Sequence, residues 1–322
     1  NMAIGYQAMG SMTTGAANIA IGYQTMDGLN HADADANIAL GNGALGGAGA
    51  VALHSCVAIG HNALDAASMT DGANGTVAIG RDALGALTSG QGNTAIGYQA
   101  MDANTTGNQN TAVGYGAAGG IPGGALGNTA IGYNALANGN NEATDENTCI
   151  GHLAGDLITS GENNVIIGAG ADVGTNTDSN CIVIGREAIG QGSNKIVLGN
   201  ASHTDVYMSS DSGAKVHCSA IIHTQEDVTI ASDAITVTSS YVRVLTEGSA
   251  SSDELATING GSAGQVLYLH QQLSTKDITL KDGTGNLALA GDFAMDHALD
   301  MIHLIYSAAD SVWIEVSRSN NA

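Results

Sequence analysis

The sequence predicts an all-β protein in two parts: a parallel β-roll or β-solenoid shaft of about 12 coils, then an antiparallel, jelly-roll-like β-sandwich. Three observations lead to this fold class. A short motif recurs through the first 200 residues at intervals of 14 to 20 residues, 38 of the 46 glycines lie in that segment, and runs of alternating apolar and polar residues replace the repeat from about residue 224. We therefore place the shaft at 1–200, a neck at 201–223 and the sandwich at 224–322.

The composition restricts the class of protein. The chain has a single proline, and 30 acidic residues against 8 basic ones give a formal net charge of −22. A surface with this charge repels phosphate backbones, so we expect no nucleic-acid partner. No apolar run reaches the roughly 18 residues that a membrane helix needs, so we expect no membrane insertion. Abundant glycine without a Gly-X-Y period and without proline excludes collagen.

The repeat in 1–200 reads Asn-Thr-Ala-Ile-Gly-Tyr in its clearest copies, such as the one from Asn93 to Tyr98. Twelve copies occur, and each places an aliphatic residue directly before a glycine. This period is too short for helical-hairpin repeats and suits one coil of a β-solenoid. The aliphatic–glycine pairs that we single out as the structural repeat are Ile4 and Gly5, Ile21 and Gly22, Ile59 and Gly60, Ile79 and Gly80, Ile96 and Gly97, Ile131 and Gly132, Ile150 and Gly151, and Ile184 and Gly185.

Alternation within the motif assigns its side chains to two faces. Thr94 and Ile96 share one face, whereas Ala95 and Gly97 share the other, which is small in almost every copy. A glycine at a fixed strand position permits close approach of another backbone. That backbone belongs either to a tightly curved coil of the same chain or to a neighbouring subunit. Because one coil offers too few large aliphatic side chains to offset the entropy lost on ordering it, we expect a homo-oligomer.

The run Asn93–Met101 resembles the head repeats of trimeric autotransporter adhesins of the YadA type, and resembles the equivalent repeats of phage tail fibres more closely still. The resemblance covers residues 1–200. In that family the motif builds a left-handed parallel β-roll that trimerises along its length, so the resemblance implies a left-handed shaft and a homotrimer. Cys56 and Thr76 replace the asparagine of the motif, which predicts a weakened asparagine ladder at these two coils.

The C-terminal part contains eight short alternating runs between residues 228 and 316, separated by Gly- or Asp-containing turns. This pattern is typical of an antiparallel sandwich. Phe293 and Trp313, the only Phe and Trp of the chain, are expected to anchor its core. The runs Gly285–Phe293 and Trp313–Ser319 resemble the C-terminal tips of phage fibres.

These resemblances imply a structural and adhesive function. The favoured interpretation is a trimeric viral tail fibre whose C-terminal tip binds a host-surface glycan or protein, with upstream fibre or baseplate components as further partners and a virion or cell-surface location. The alternatives are the head of a bacterial trimeric autotransporter adhesin, a self-assembling extracellular filament and a polysaccharide-depolymerising fibre. Because residue 1 falls inside a copy of the motif, we expect the chain to be a segment of a longer protein.

No catalytic, cofactor or metal site is predicted. Gly41–Gly46 matches the dinucleotide-binding fingerprint, which has meaning only between a strand and a helix, and no helix pattern follows it. No nucleophile elbow or catalytic triad can be assembled. Two acidic groups have a metal-binding alternative. Near the C-terminus the spacing matches no familiar set of metal ligands, in Asp292, Asp296, His297, Asp300 and His303. In the shaft, a loop with Asp27, Asp33 and Asp35 could hold Ca²⁺, but a solvated acidic loop is the favoured interpretation.

Two further features have alternative interpretations. The residue after the motif glycine is often Tyr, and such a column either binds sugars by stacking or forms a ladder of neighbours that supports the roll. The four cysteines, Cys56, Cys149, Cys181 and Cys218, form no CxxC pair. Cys149 and Cys181 lie two coils apart, roughly 9.6 Å, which is too far for a disulfide. We expect these side chains to act as small buried apolar groups.

Overall fold

The structure is a computed structural model that describes residues 1–66, 69–70, 73–139, 144–203, 223–248, 250–272, 275–297 and 299–321. Within these ranges all regular secondary structure consists of β-strands, which confirms the all-β fold class. Contacts divide the chain into two compact units, Asn1–Ser212 and Gly213–Ala322. The predicted neck lies outside the described residues except for 201–203 and 223, and so does Cys218.

The first unit contains one three-residue strand in each coil. The strands are β1 (Met2–Ile4), β2 (Ile19–Ile21), β3 (Ile38–Leu40), β4 (Val57–Ile59), β5 (Val77–Ile79), β6 (Thr94–Ile96), β7 (Thr111–Val113), β8 (Thr129–Ile131), β9 (Thr148–Ile150), β10 (Val165–Ile167), β11 (Ile182–Ile184) and β12 (Ile196–Leu198). They form a 12-stranded parallel sheet in sequence order. The predicted parallel solenoid of 12 coils is therefore confirmed.

Register keeps equivalent residues of successive coils directly above one another. Ala95 on β6 pairs with Ala112 on β7, which pairs in turn with Ala130 on β8. These strand-centre residues point into the coil and are fully buried. Because the interior is only a few side chains wide, alanine is the residue that fits the strand centre in most coils.

Left-handed backbone turns bring larger apolar side chains into the same interior. In the coil that starts at β6, Gln99 and Met101 have φ values of 51° and 52°. Met101 is buried, and so are its equivalents Leu84 and Leu136 in other coils. A left-handed conformation costs a non-glycine residue roughly 1–2 kcal/mol. Burial of these side chains together with the hydrogen bonds between coils offsets that cost.

A ladder of buried asparagines runs along the coil interior. The Oδ1 of Asn93 accepts hydrogen bonds from the backbone N (3.0 Å) and Nδ2 (3.2 Å) of Asn110, whose Nδ2 also donates to the O of Ala125 (2.8 Å). The ladder is interrupted at Cys56 and Thr76. Asn37 still accepts from the backbone N of Cys56 at 3.0 Å, but the buried Oγ1 of Thr76 has no hydrogen-bond partner.

The second unit contains eleven strands in its described residues. They are β13 (Gln225–Thr229), β14 (Ala234–Thr236), β15 (Tyr241–Leu245), β16 (Ser252–Leu255), β17 (Thr257–Asn259), β18 (Val266–Gln271), β19 (Asp277–Leu280), β20 (Leu287–Ala288), β21 (Phe293–Met295), β22 (Met301–Ser307) and β23 (Val312–Ser319). The sheets have the orders β13-β15-β18-β22-β23-β20, β14-β17 and β16-β19-β21.

The sheets of this unit are mixed, whereas the sequence predicts antiparallel ones. The pairs β13–β15, β15–β18, β14–β17, β16–β19 and β20–β23 are parallel, and only β18–β22, β19–β21 and β22–β23 are antiparallel. The chain thus winds through parallel coils up to β19. β21 and β22 then pair antiparallel with β19 and β18, and β23, which is antiparallel to β22, runs in the same direction as β18 again. The sequence does not predict strand direction, because the alternation of apolar and polar residues indicates only which side chains of a strand are buried. That alternation is the same in parallel and antiparallel strands.

Apolar side chains of all three sheets form the core of the second unit. Phe293 and Trp313 are buried in it, 2% and 0% exposed. The Nε1 of Trp313 donates to the O of Ile258 (3.0 Å), and its ring packs against Tyr306 with centroids 5.2 Å apart. Arg318 lies over the ring of Phe293 at 4.8 Å and pairs with Glu315.

Candidate functional site

The outer face of the 12-stranded sheet carries a continuous apolar surface, which we call the aliphatic face. It consists of the first and third residues of the strands, which flank the buried central residue. Ile96, Ile131 and Ile184 on this face expose 37%, 38% and 39% of their surface. Exposed contiguous apolar surface of this kind marks interaction sites in soluble proteins. The same face carries five further isoleucines of the repeat motif: Ile4, Ile21, Ile59, Ile79 and Ile150.

The small face of the motif turns out to be the coil interior. The close approach that its glycines permit takes place between coils of the same chain. Gly168 has a φ of 138°, and a Cβ there would lie 2.5 Å from the O of Gly185 in the next coil. The backbone that these glycines approach thus belongs to a tightly curved coil of the same chain, and not to a neighbouring subunit.

A ladder of stacked rings runs beside the aliphatic face, at the position directly after the motif glycine. Tyr98, Tyr115, Tyr133 and His152 stack with centroids 5.0, 5.2 and 5.2 Å apart and interplanar angles of 15°, 15° and 12°. Arg81 lies over the free face of Tyr98 at 5.8 Å. The rings of this aromatic ladder cover one another's faces, so sugars cannot stack on the rings in its middle.

Aspartates occupy alternate coils in a third column, five residues after the motif glycine. The column reads Gly10, Asp27, Gly46, Asp65, Gly85, Asp102, Gly119. A Cβ added at Gly46 would lie 3.0 Å from Oδ1 of Asp65, and one at Gly119 would lie 3.3 Å from Oδ1 of Asp102. Each of these carboxylates therefore uses space over the neighbouring glycine, and like charges are kept two coils apart.

The column continues with Ala137, Asp156 and Val173, and Asp172, one position before Val173, lies beside Asp156. Asp172 is buried, and its carboxylate accepts from the backbone N of Leu157 (2.9 Å) and of Val173 (2.8 Å). Burial, together with the hydrogen bond and charge of Asp156, raises the pKa of Asp172 to about 7. Asp172 thus binds a proton near neutral pH. Sequence reasoning missed this pair, because Asp156 lies five residues after its motif glycine and Asp172 only four, so the two do not share a column of the repeat.

The outer face of the six-stranded sheet in the second unit is rich in rings. Tyr268 stacks on His303 with centroids 4.6 Å apart, and Tyr241 stacks on His270 at 5.2 Å. Burial lowers the pKa of His270. Arg243, on the same face, forms a bidentate ion pair with Asp227 (2.8 and 2.6 Å). This face offers both flat rings and hydrogen-bonding groups.

The acidic groups singled out in the sequence do not converge. Asp292 pairs with Lys281, whereas the buried Asp300 accepts from the backbone N of His297 (2.9 Å), of Asp296 (3.1 Å) and of Asn321 (2.7 Å). In the shaft, Asp35 accepts from the backbone N of Ala16 (2.5 Å), and Asp33 lies 3.9 Å from the ring of His31. No group of three or more His, Cys, Asp or Glu side chains suited to a metal ion occurs within the described residues.

The other sequence features have structural positions too. Gly41–Gly46 follows β3 and forms a turn between coils, without the helix that a dinucleotide site requires. Cys56, Cys149 and Cys181 are buried free thiols. Burial raises the pKa of Cys56 to about 11, which makes it an unreactive apolar side chain. In the ranges that the structure describes, a search for helices long and apolar enough to span a bilayer finds none.

Comparisons with protein-family models, with curated proteins and with solved structures give no significant match to this chain.

Proposed function

We propose that this chain is a structural and adhesive fibre protein, a homotrimeric viral tail fibre whose C-terminal unit binds a host-surface glycan or protein. The observation that carries the proposal is the aliphatic face. It extends along all 12 strands of the sheet, about 53 Å for 11 steps of ~4.8 Å. Leaving such a surface in water is unfavourable, and other copies of the same chain offer an equally long apolar surface.

The resemblance of the repeat to tail-fibre and adhesin repeats supports three chains as the number, a left-handed shaft and an extracellular or virion location. Multivalency explains why such a protein would assemble. Three equivalent weak sites on one particle raise the avidity for a cell surface far above the affinity of each site. On the second unit, Tyr241 and the Arg243–Asp227 pair supply a flat ring and charged groups of the kind that bind glycans or proteins.

The assembly is tested by placing charges on the aliphatic face. We expect the double variant Ile96→Lys, Ile131→Lys to sediment as a monomer, because a lysine buried in an apolar interface must lose its hydration. The matched control is Leu126→Lys, Leu157→Lys, which adds the same charges at exposed leucines outside this face and should sediment as the trimer. Analytical ultracentrifugation distinguishes the two. A monomeric wild type, or equal assembly of both variants, contradicts the proposal.

Adhesion is tested with the same proteins. Fluorescently labelled wild type and the control variant should be retained on cells of a susceptible host after washing, whereas the monomeric variant should be lost. Equal retention of trimer and monomer would argue against adhesion by avidity. The alternatives give other results: a self-assembling filament forms end-to-end chains in electron micrographs of the pure protein, and a depolymerising fibre clears a suspension of capsular polysaccharide.

A further inference from the structure

The aromatic ladder has a gap in its column at Ala169. The residues after successive motif glycines are Tyr133, His152, Ala169 and Arg186. One face of the His152 ring stacks on Tyr133, and its other face points along the column toward the next coil, where only the exposed methyl group of Ala169 stands. Arg186 follows one coil further on. Between His152 and Arg186 the column thus has one position, Ala169, without a large side chain, which we call the slot.

The backbone shows that these three residues are stacked in the same way as the rest of the ladder. The N of Gly170 donates to the O of His152 (2.8 Å), and the N of Glu187 donates to the O of Ala169 (2.9 Å). The corresponding bonds beside Tyr98 are from Gln99 N to Arg81 O (2.9 Å) and from Gly116 N to Tyr98 O (2.9 Å). The spacing between coils is thus the same at both places.

The chain itself contains a filled version of this arrangement. Tyr98 lies between Arg81, 5.8 Å from its ring centroid, and the ring of Tyr115, 5.0 Å away. Arg81 is held by an ion pair with the next residue, Asp82 (3.1 Å). Its counterpart Arg186 also pairs with the next residue, Glu187, through a terminal guanidinium nitrogen (2.7 Å). A phenol ring between an arginine and an aromatic ring is therefore an arrangement that this solenoid already stabilises.

We propose that the slot above Ala169, between His152 and Arg186, binds one phenolic ring. An electron-rich aromatic ring is favoured because it stacks on the imidazole with one face and attracts the guanidinium with the other. The spacing of 5.0–5.2 Å between rings in the ladder matches a single flat ring at this position. A saturated ring of the same size lacks the negative face that the guanidinium requires. The inference rests on the ladder alone and is independent of the proposed fibre function.

The test is a ligand-observed NMR titration of the whole chain with 4-methylphenol, which is the tyrosine side chain without its backbone. We expect saturable binding of one molecule per chain with a Kd on the order of 1 mM. The saturated analogue 4-methylcyclohexanol should bind at least about tenfold more weakly. Absence of saturable binding, or equal binding of the two probes, overturns the proposal.

Variants locate the binding within the ladder. Ala169→Tyr fills the slot with the residue common in this column and should abolish binding while extending the ladder. Asn42→Tyr, which adds the same side chain elsewhere in the column, should leave binding unchanged and serves as the matched control. His152→Tyr should retain binding and His152→Ala should weaken it at least about tenfold. Unchanged binding by Ala169→Tyr would overturn the proposal, and its melting temperature reports that it is folded.

Discussion

At the scale of single residues, the solenoid depends on backbone conformations that few residue types adopt. The motif glycines of the first 11 coils have φ between 133° and 143°, a region that side chains avoid. They also lie against the backbone of the next coil. Two residues further on, φ lies between 48° and 67°, where Asn, Gln, Asp, Glu and Leu are found as well as Gly. The two kinds of position therefore tolerate substitution very differently.

The first prediction compares two glycines of one coil. Gly168→Ala should lower the free energy of unfolding by at least about 3 kcal/mol, since the methyl group meets the O of Gly185 and φ is 138°. Gly170→Ala should cost only about 1–2 kcal/mol, because φ there is 64° and the nearest atom is 3.6 Å away. Urea unfolding of both variants checks this. Equal losses would contradict the role of coil contact.

The second prediction concerns the interrupted asparagine ladder. Thr76→Asn should raise the free energy of unfolding by about 1 kcal/mol, because it replaces a buried hydroxyl that has no partner by an amide that continues the ladder. The reciprocal change Asn110→Thr should lower it by about 1–3 kcal/mol, since it leaves the Oδ1 of Asn93 without its side-chain donor. Thermal unfolding monitored by circular dichroism measures both. A stability loss in Thr76→Asn would show that the ladder cannot be continued there.

At the scale of elements, each coil interacts chiefly with the coils before and after it. Equivalent residues form columns, and the column determines which residue types are compatible as neighbours. Rings stack with rings, as in the aromatic ladder, and asparagines bond to asparagines. Aspartates alternate with glycines, and where Asp156 and Asp172 become neighbours the pKa of Asp172 rises to about 7.

The third prediction follows from that pair. The folded chain keeps the proton of Asp172 up to about pH 7, whereas the unfolded chain releases it near the ordinary value of 3.8. The stabilisation by protonation is therefore complete below about pH 4, declines as the pH rises and is lost above 7. Asp172→Asn, which cannot ionise, should gain stability relative to wild type between about pH 4 and pH 8. Urea unfolding at several pH values measures the difference.

Glu162→Gln is the control for this experiment, because it removes one exposed carboxylate from the same unit. Its stability relative to wild type should change little over the same pH range. If Asp172→Asn and Glu162→Gln show the same pH profile, the pKa of Asp172 is not raised in the folded chain.

At the scale of the whole molecule, two properties act against each other. A formal charge of −22 makes copies of the chain repel one another, whereas the aliphatic face favours their association. Exposed charges are screened within about 10 Å at 0.1 M salt, but apolar contacts are not weakened by salt. The balance between the two should therefore depend on ionic strength.

The fourth prediction is that association of the chain strengthens when salt is raised from about 10 mM to about 100 mM. Sedimentation equilibrium at the two concentrations measures the association constant. The Ile96→Lys, Ile131→Lys variant is the control and should stay monomeric at both. Weaker association at the higher salt concentration would mean that ion pairs, and not the aliphatic face, hold the copies together.

Part of the candidate site could be predicted from the sequence. Period-two alternation predicts that the first and third residues of each strand share one face, as Thr94 and Ile96 do. Which of the two faces points outward does not follow, because a row of isoleucines is equally suited to a core. The coil interior is narrow enough that Ala95 fills it, and this leaves Ile96 outside.

The β fold of the shaft, its number of coils and the position of its glycines are predictable from the amino acids, because the motif recurs 12 times at intervals of 14 to 20 residues. The mixed sheets of the second unit emerge only in the folded chain, since strand direction depends on where the connections cross and not on alternation. The same holds for the tyrosines, which cover one another, and for Ala169, which leaves a gap among them. Such relations exist only between residues that stacking brings together.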